Sequence, residues 1–437
     1  MTAGEPRTVL RHARHPGDVA VAGGRVAAIG SVPAEPGDVI VDCDGDIVTA
    51  GLVNTHHHLY QWMTRGRAAS SDLFDWLVEL YPVWNRLEVA DVEVAATVGL
   101  AEIALSGATT VFDHHYVVPR GDDSVFDAIA RAARRVGVRL FVSRGSMDLG
   151  ESAGGLPPDD IVEEVDAILE STERVAARLD DGDRVNVVVA PCSPFSTSEA
   201  LMRESAALAR GLGLRLHTHL AETVDEERDC LRRFGCRPLD YVERLGWSGP
   251  DVWYAHGVHL SAEEATRVGA AGTGVAHCPG SNSRLGSGLC PVRDLLDAGG
   301  PVGLGVDGAA SHEPGVLQPE MRQALYVARL RAGHASSLSP AEALAMATSG
   351  GADCLGRPDL GRLEVGAPAD LAVWPGEDLA DMPDPVAALV LGRDRSVRHL
   401  FVAGEAVVLD GAPVGVDLAA AHAQLASRAR RLWEPAC

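Results

Sequence analysis

The chain has 437 residues, 46% of them hydrophobic and 23% charged, with 61 acidic against 38 basic side chains and a formal net charge of -23. That negative excess argues against nucleic acid or an anionic membrane as partner, since both want a basic face, but it leaves small-molecule chemistry open because one cleft can differ from the global sign. No run of about 18 apolar residues exists to span a membrane. The first eighteen residues lack the apolar stretch of a secretory signal, and the eight scattered cysteines form no CxxC pair, so a cytoplasmic protein with reduced thiols is expected.

Along the chain, the opening segment reads as short strands broken by Gly and Pro: Val19-Ala20-Val21, the Gly23-Gly24 turn, then Arg25–Ile29. Ile47–Val53 follows and runs into Asn54-Thr55-His56-His57-His58. From there the pattern alternates. Spacing predicts helices over Val92–Ser106, Ser124–Val136, Asp159–Leu179 and Ser198–Leu212, interleaved with short apolar strands. The strands are Thr109–Phe112, Arg139–Ser143, Val185–Ala190, Arg215–His219, Val252–Ala255, Gly274–His277 and Val302–Val306. Alternation means a parallel sheet, and about eight such units over roughly 300 residues suit a (β/α)8 barrel better than an open sheet. The far end returns to strands at Asp370–Trp374, Ser396–Val402 and Ala406–Leu409, with a closing helix over Leu418–Trp433. The expected fold is α/β: a TIM-like barrel over residues 52–364, with a small β-sandwich assembled from residues 1–51 and 365–437, the second part carrying the C-terminal helix.

Most reactive residues fall where predicted strands end, and in a barrel those C-terminal ends converge on one face. In a strand, residues two apart point the same way, so His56 and His58 can grip one ion while His57 faces elsewhere. His217-Thr218-His219-Leu220-Ala221-Glu222, Tyr254-Ala255-His256-Gly257 and Gly305-Val306-Asp307-Gly308 end three further strands. Three imidazoles and one carboxylate suit one divalent ion, Zn²⁺ first and Fe²⁺ second. His57, His114, His115, His217, His259 and His277 read as packing or hydrogen-bonding residues. Pro158-Asp159-Asp160 reads as a helix cap, and Asp180-Asp181-Gly182-Asp183 as a solvated loop.

These segments resemble the amidohydrolase superfamily, in its branch of aminohydrolases acting on nitrogen heterocycles. The likeness runs from Gly51–His58 through His219–Glu222, His256, His277-Cys278-Pro279-Gly280-Ser281-Asn282 and Val306-Asp307-Gly308 to Gly361–Leu371. By match, the resemblance implies that His56, His58, His219 and Asp307 are metal ligands, that Glu222 is the proton shuttle, and that His256 orients the water and the tetrahedral intermediate. Within the branch the chain is most similar to 8-oxoguanine deaminases. That likeness rests on Leu59-Tyr60-Gln61 after the triple His, Leu73–Leu77, Tyr81–Trp84, Asp113–Tyr116 and Arg144–Glu151. It implies conversion of free 8-oxoguanine to urate and ammonia; guanine, a pterin, isocytosine and s-triazines are the alternative substrates. Gln61, Trp84 and Arg144 are the expected substrate contacts, with Trp84 stacking on a bare base. His312 stands where the family pattern suggests Asn. A binuclear centre with a bridging lysine is excluded, because the chain has no lysine. A catalytically silent binding barrel is the reading from another class, and self-association stays open.

Overall fold

The computed structural model describes residues 7–118 and 121–434; Cys437 and the first six residues of the N-terminal stretch lie outside them. Eight parallel strands close into a barrel in chain order: β1 Leu52–Asn54, β2 Ala108–Asp113, β3 Arg139–Ser146, β4 Val185–Pro191, β5 Arg215–Leu220, β6 Val252–His256, β7 Gly274–His277 and β8 Val302–Leu304. Their residues are nearly all buried, as expected of strands covered on one face by helices and on the other by the barrel interior. Leu304 pairs with Asn54 to close the ring. The interior below the mouth is filled: Val53, Phe112, Phe141, Val188, Trp253 and Ala276 form one buried cluster drawn from six strands, which only inward-facing residues can do.

Beside the barrel, a four-stranded sheet comprises Thr8–Arg11, Asp18–Ala22, Arg25–Gly30 and Val39–Asp42. A five-stranded sheet comprises Ile47–Ala50, Leu371–Trp374, His399–Val402, Glu405–Leu409 and Ala412–Pro413. Antiparallel pairing of Val48 with Val373 joins the two ends of the chain, and Leu10, Val19, Val26, Val48, Val373 and Phe401 share a core between the sheets. Arg139 at the start of β3 fastens sandwich to barrel through both oxygens of buried Asp370, at 2.7 and 3.2 Å. Among the described residues no helix is long and apolar enough to cross a membrane.

Two expected elements are redrawn and one helix is added. The helix predicted from Asp159 starts at Val165, preceded by a single 3₁₀ turn at Asp159–Ile161. Asp159 does not cap it: its carboxylate takes the N–H and hydroxyl of Ser152 at 3.1 and 3.0 Å. The eighth strand stops at Leu304, and Asp307–Gly308 forms a separate two-residue pairing with His57–His58 across the barrel mouth. Finally, Leu73–Trp84, which carries Pro82, is an unforeseen helix.

Candidate metal centre and active site

The ends of β1, β5, β6 and β8 bring His56, His58, His219, His256 and Asp307 to one mouth. Asp307 Oδ1 lies 3.4 Å from His56 Nε2 and 3.2 Å from His58 Nε2, and His58 Nε2 lies 3.1 Å from His219 Nε2. Two overlapping quartets, His56/His58/His114/His219 and His56/His219/His256/Asp307, each gather their donor atoms within 4.8 Å of one another. His256 and Asp307 adopt positive φ, 73° and 62°, a conformation costly for residues with a Cβ and concentrated at functional sites.

Hydrogen bonds around the rings decide which nitrogens can bind a cation. His58 Nδ1 meets the His114 carbonyl at 2.6 Å and His219 Nδ1 meets the Cys192 carbonyl at 2.6 Å. A carbonyl only accepts, so each Nδ1 carries the hydrogen and each Nε2 is a bare lone pair. His217 Nδ1 donates to the Trp253 carbonyl at 3.0 Å, so its Nε2 accepts from His56 Nδ1 at 2.9 Å. His56 Nε2 is therefore bare as well, and it is buried with no hydrogen-bond partner. Burial, the largest influence, holds His56 down to about 4 and His219 well below the usual imidazole range. Three neutral nitrogens thus aim lone pairs at one another and at a carboxylate, a repulsive set that a divalent cation relieves. His114 spends Nε2 on the Ala190 carbonyl at 2.9 Å and stacks on His219.

Asp307 is oriented from behind. Its Oδ2 accepts from Ser281 Oγ at 2.6 Å and Ser311 Oγ at 3.2 Å, leaving Oδ1 toward the imidazoles. His256 has the opposite tautomer from the three rings. Asn282 Nδ2 donates to its Nδ1 at 3.0 Å, so Nε2 carries the hydrogen and faces Glu222 Oε2 at 3.5 Å. Burial, reinforced by the Asp307 charge, pushes Glu222 well above the usual carboxylate range.

A cavity opens over these groups, lined also by Gln61, Leu73, Trp76, Leu77, Tyr81 and Phe195, with Tyr116, Cys192, Leu285 and Ser311 completing the wall. Gln61 lines the cavity. Its amide lies so close to Gly308 that a Cβ there would fall 1.7 Å from Oε1, and Oε1 has no partner. Trp84 and Arg144 do not line the cavity. Trp84 sits eleven residues beyond Leu73, roughly 16 Å along the helix axis. There it packs edge-on against Tyr60, Trp76 and Tyr81 and donates to Thr64 Oγ1 at 3.0 Å. Arg144 shares strand parity with Leu140 and Val142, not with inward Phe141. It is locked outside the barrel wall against Glu163 at 2.7 and 3.0 Å. The aromatic wall belongs to Trp76 and Tyr81, and the spacing of Leu73, Trp76, Leu77 and Tyr81 is the helical signal that could have found it. His312 pairs with Glu320 at 3.0 Å and lies outside the lining.

Residues 47–407 match the amidohydrolase family. The chain is 48% identical over 414 residues to the 8-oxoguanine deaminase of Pseudomonas aeruginosa, covering 92% of each chain. It is 38% identical to an isoxanthopterin deaminase from an unknown prokaryotic organism, covering 96% of this chain and 92% of that one. Among solved structures it resembles the atrazine chlorohydrolase of Arthrobacter aurescens complexed with zinc, with a TM-score of 0.89 and 31% identity over 98% of this chain and 99% of that one.

Proposed function

The chain belongs to the amidohydrolase family, and from that premise we propose that it hydrolytically deaminates a free aminated heterocycle, 8-oxoguanine foremost, giving urate and ammonia. The observation that carries this reading is the contrast of tautomers: three Nε2 lone pairs beside Asp307, and one Nε2–H on His256 beside Glu222. His56, His58, His219 and Asp307 would hold one divalent ion, zinc by the chemistry of three nitrogens and an oxygen, with iron second. When bound, such an ion supplies Lewis acidity that brings the pKa of a water down to about 7.

The remaining steps fall to the chain. Glu222, whose carboxyl burial pushes well above the usual range, gives its proton to the ring nitrogen beside the amine-bearing carbon and makes that carbon electrophilic. As water oxygen adds to the carbon, Asp307 takes the water's proton. The His256 Nε2–H points where negative charge develops. The proton held by Asp307, passed on through Glu222, then converts the exocyclic amine into ammonia as the C–N bond breaks, and the proton of the added hydroxyl returns to Glu222 as the carbonyl forms. Trp76 and Tyr81 offer aromatic surface to a flat ring. Apart from Glu222 and Asp307, no carboxylate among the described residues lines the cavity to receive ribose hydroxyls, which supports a free base over a nucleoside.

The test is a panel of 8-oxoguanine, guanine, isoxanthopterin, isocytosine, s-triazines and guanosine with zinc-loaded protein, read by ammonia and chloride release. Ammonia from 8-oxoguanine and none from guanosine is expected; chloride release from a triazine alone would replace the reading. Glu222→Gln should retain its zinc yet lose at least about 100-fold in kcat.

A further inference from the structure

A second carboxylate stands directly behind the turn that presents Glu222. After β5 the chain bends at Ala221, whose φ of 52° is left-handed. That bend turns two successive backbone N–H groups, of Ala221 and Glu222, to the same side, as in an anion-binding nest. Glu226 fills it: Oε1 accepts from Ala221 N and Oε2 from Glu222 N, both at 2.9 Å. Glu226 lies in the first turn of the helix Val224–Phe234, whose cap Thr223 accepts from the Glu226 N–H. In an ordinary capping box a Glu at this position would reach back to the cap's own N–H; here it reaches past Thr223 to the two preceding residues.

The arrangement is costly. Glu226 is 0% exposed, and no basic side chain pairs with it among the described residues. An unpaired buried carboxylate loses solvation that two N–H groups only partly return. A stability role is better filled by an uncharged side chain. What a carboxylate adds is a rigid two-pronged acceptor that sets the plane of the peptide leading into Glu222.

We propose that Glu226 is a positioning residue for the reaction: it fixes the direction from which the Glu222 carboxyl meets the substrate ring nitrogen. The proposal rests on the reading of Glu222 as the proton carrier. Glu226→Gln keeps the shape but replaces one acceptor oxygen by a donor that opposes a backbone N–H. It should lower kcat by about 10- to 100-fold, the scale of a misplacement near 1 Å, with KM and zinc stoichiometry unchanged.

The discriminating experiment is a double-mutant cycle with Glu222→Gln, the slow variants read by single turnover of 8-oxoguanine at high enzyme concentration. Once Glu222 is disabled its positioning no longer matters, so Glu226→Gln should add no further loss in the Glu222→Gln background. Losses that multiply, or a Glu226→Gln kcat within about twofold of the parent, would overturn the proposal while leaving the Glu222 role intact. A Glu222→Gln protein as fast as the parent would overturn both. Should Glu226→Gln not fold, Glu226→Asp keeps both oxygens one methylene back. A kcat loss there that vanishes in the Glu222→Gln background supports the proposal, and a loss that persists overturns it.

Discussion

The rings around Asp307 are told apart by atoms that never meet a substrate. Carbonyl oxygens of His114, Cys192 and, through His217, Trp253 leave three Nε2 atoms bare, whereas the Asn282 amide forces hydrogen onto His256 Nε2. His217→Phe is therefore expected to lower zinc affinity by about 10- to 100-fold, the usual cost of losing a partner of a ligating imidazole, checked by competition with a chromophoric chelator. Arg144 shows the converse. Arg144→Met strands Glu163 and should cost about 3–5 kcal/mol in urea unfolding, with KM for substrate unchanged; a raised KM would return Arg144 to the cavity. The convergence of His56, His58, His219, Glu222, His256 and Asp307 was readable in the sequence because each closes a strand-like run on a barrel pattern. Arg144 misled because a strand places neighbours on opposite faces, and parity has to be counted from a residue whose side is already known.

At the scale of elements, strands were read well because their apolar runs are short and bounded. The Leu73–Trp84 helix was not, since two tryptophans, a tyrosine and an internal proline obscure its propensity, and tertiary packing rather than intrinsic preference holds it. The start of the helix at Val165 was misjudged because Asp159 finds a loop partner in Ser152 instead of the helix it precedes. The C-terminal helix Leu418–Trp433 was foreseen end to end. It packs on Val89–Leu105 and on the 3₁₀ turn Leu59–Thr64 that carries Gln61, with Arg428 and Arg431 on buried Asp91. Leu432 is 1% exposed, so Leu432→Ala should cost about 2–5 kcal/mol. Zinc stoichiometry should hold in that variant, because the helix lies outside the strands that bear the imidazoles.

For the whole molecule, the buried histidines set the response to acid. His56, His57, His115, His256 and His277 are held at about 3 to 4, chiefly by burial, and His114, His217 and His219 well below the usual imidazole range. The unfolded chain protonates these groups near 6.5, so the stability present above that pH is lost as pH falls toward the folded values. Burial pushes Asp113 and Glu226 up to about 7 and Glu222 well above the usual carboxylate range; as pH falls through 7 these acids take up protons in the fold before they do in the unfolded chain, and so oppose the loss. Below pH 6.5 the eight rings outnumber the three acids, so the balance of these groups favours proton uptake by the unfolded chain. The metal-free protein should therefore show a urea midpoint that drops steeply between pH 6.5 and 5, and a flat midpoint would contradict the assignment of neutral buried rings.

The pairing of Asp307–Gly308 with His57–His58 has a consequence for how such a molecule comes into being. The place where the cylinder is stitched shut is also the place where the ion would be gripped, and the stitches are made by its earliest and latest staves. During synthesis the half-site formed by His56 and His58 waits for some 250 further residues before its carboxylate arrives. Capture of the ion thus marks completion of the cylinder, and a chain cut short before that seam is an empty vessel however well its other staves have formed.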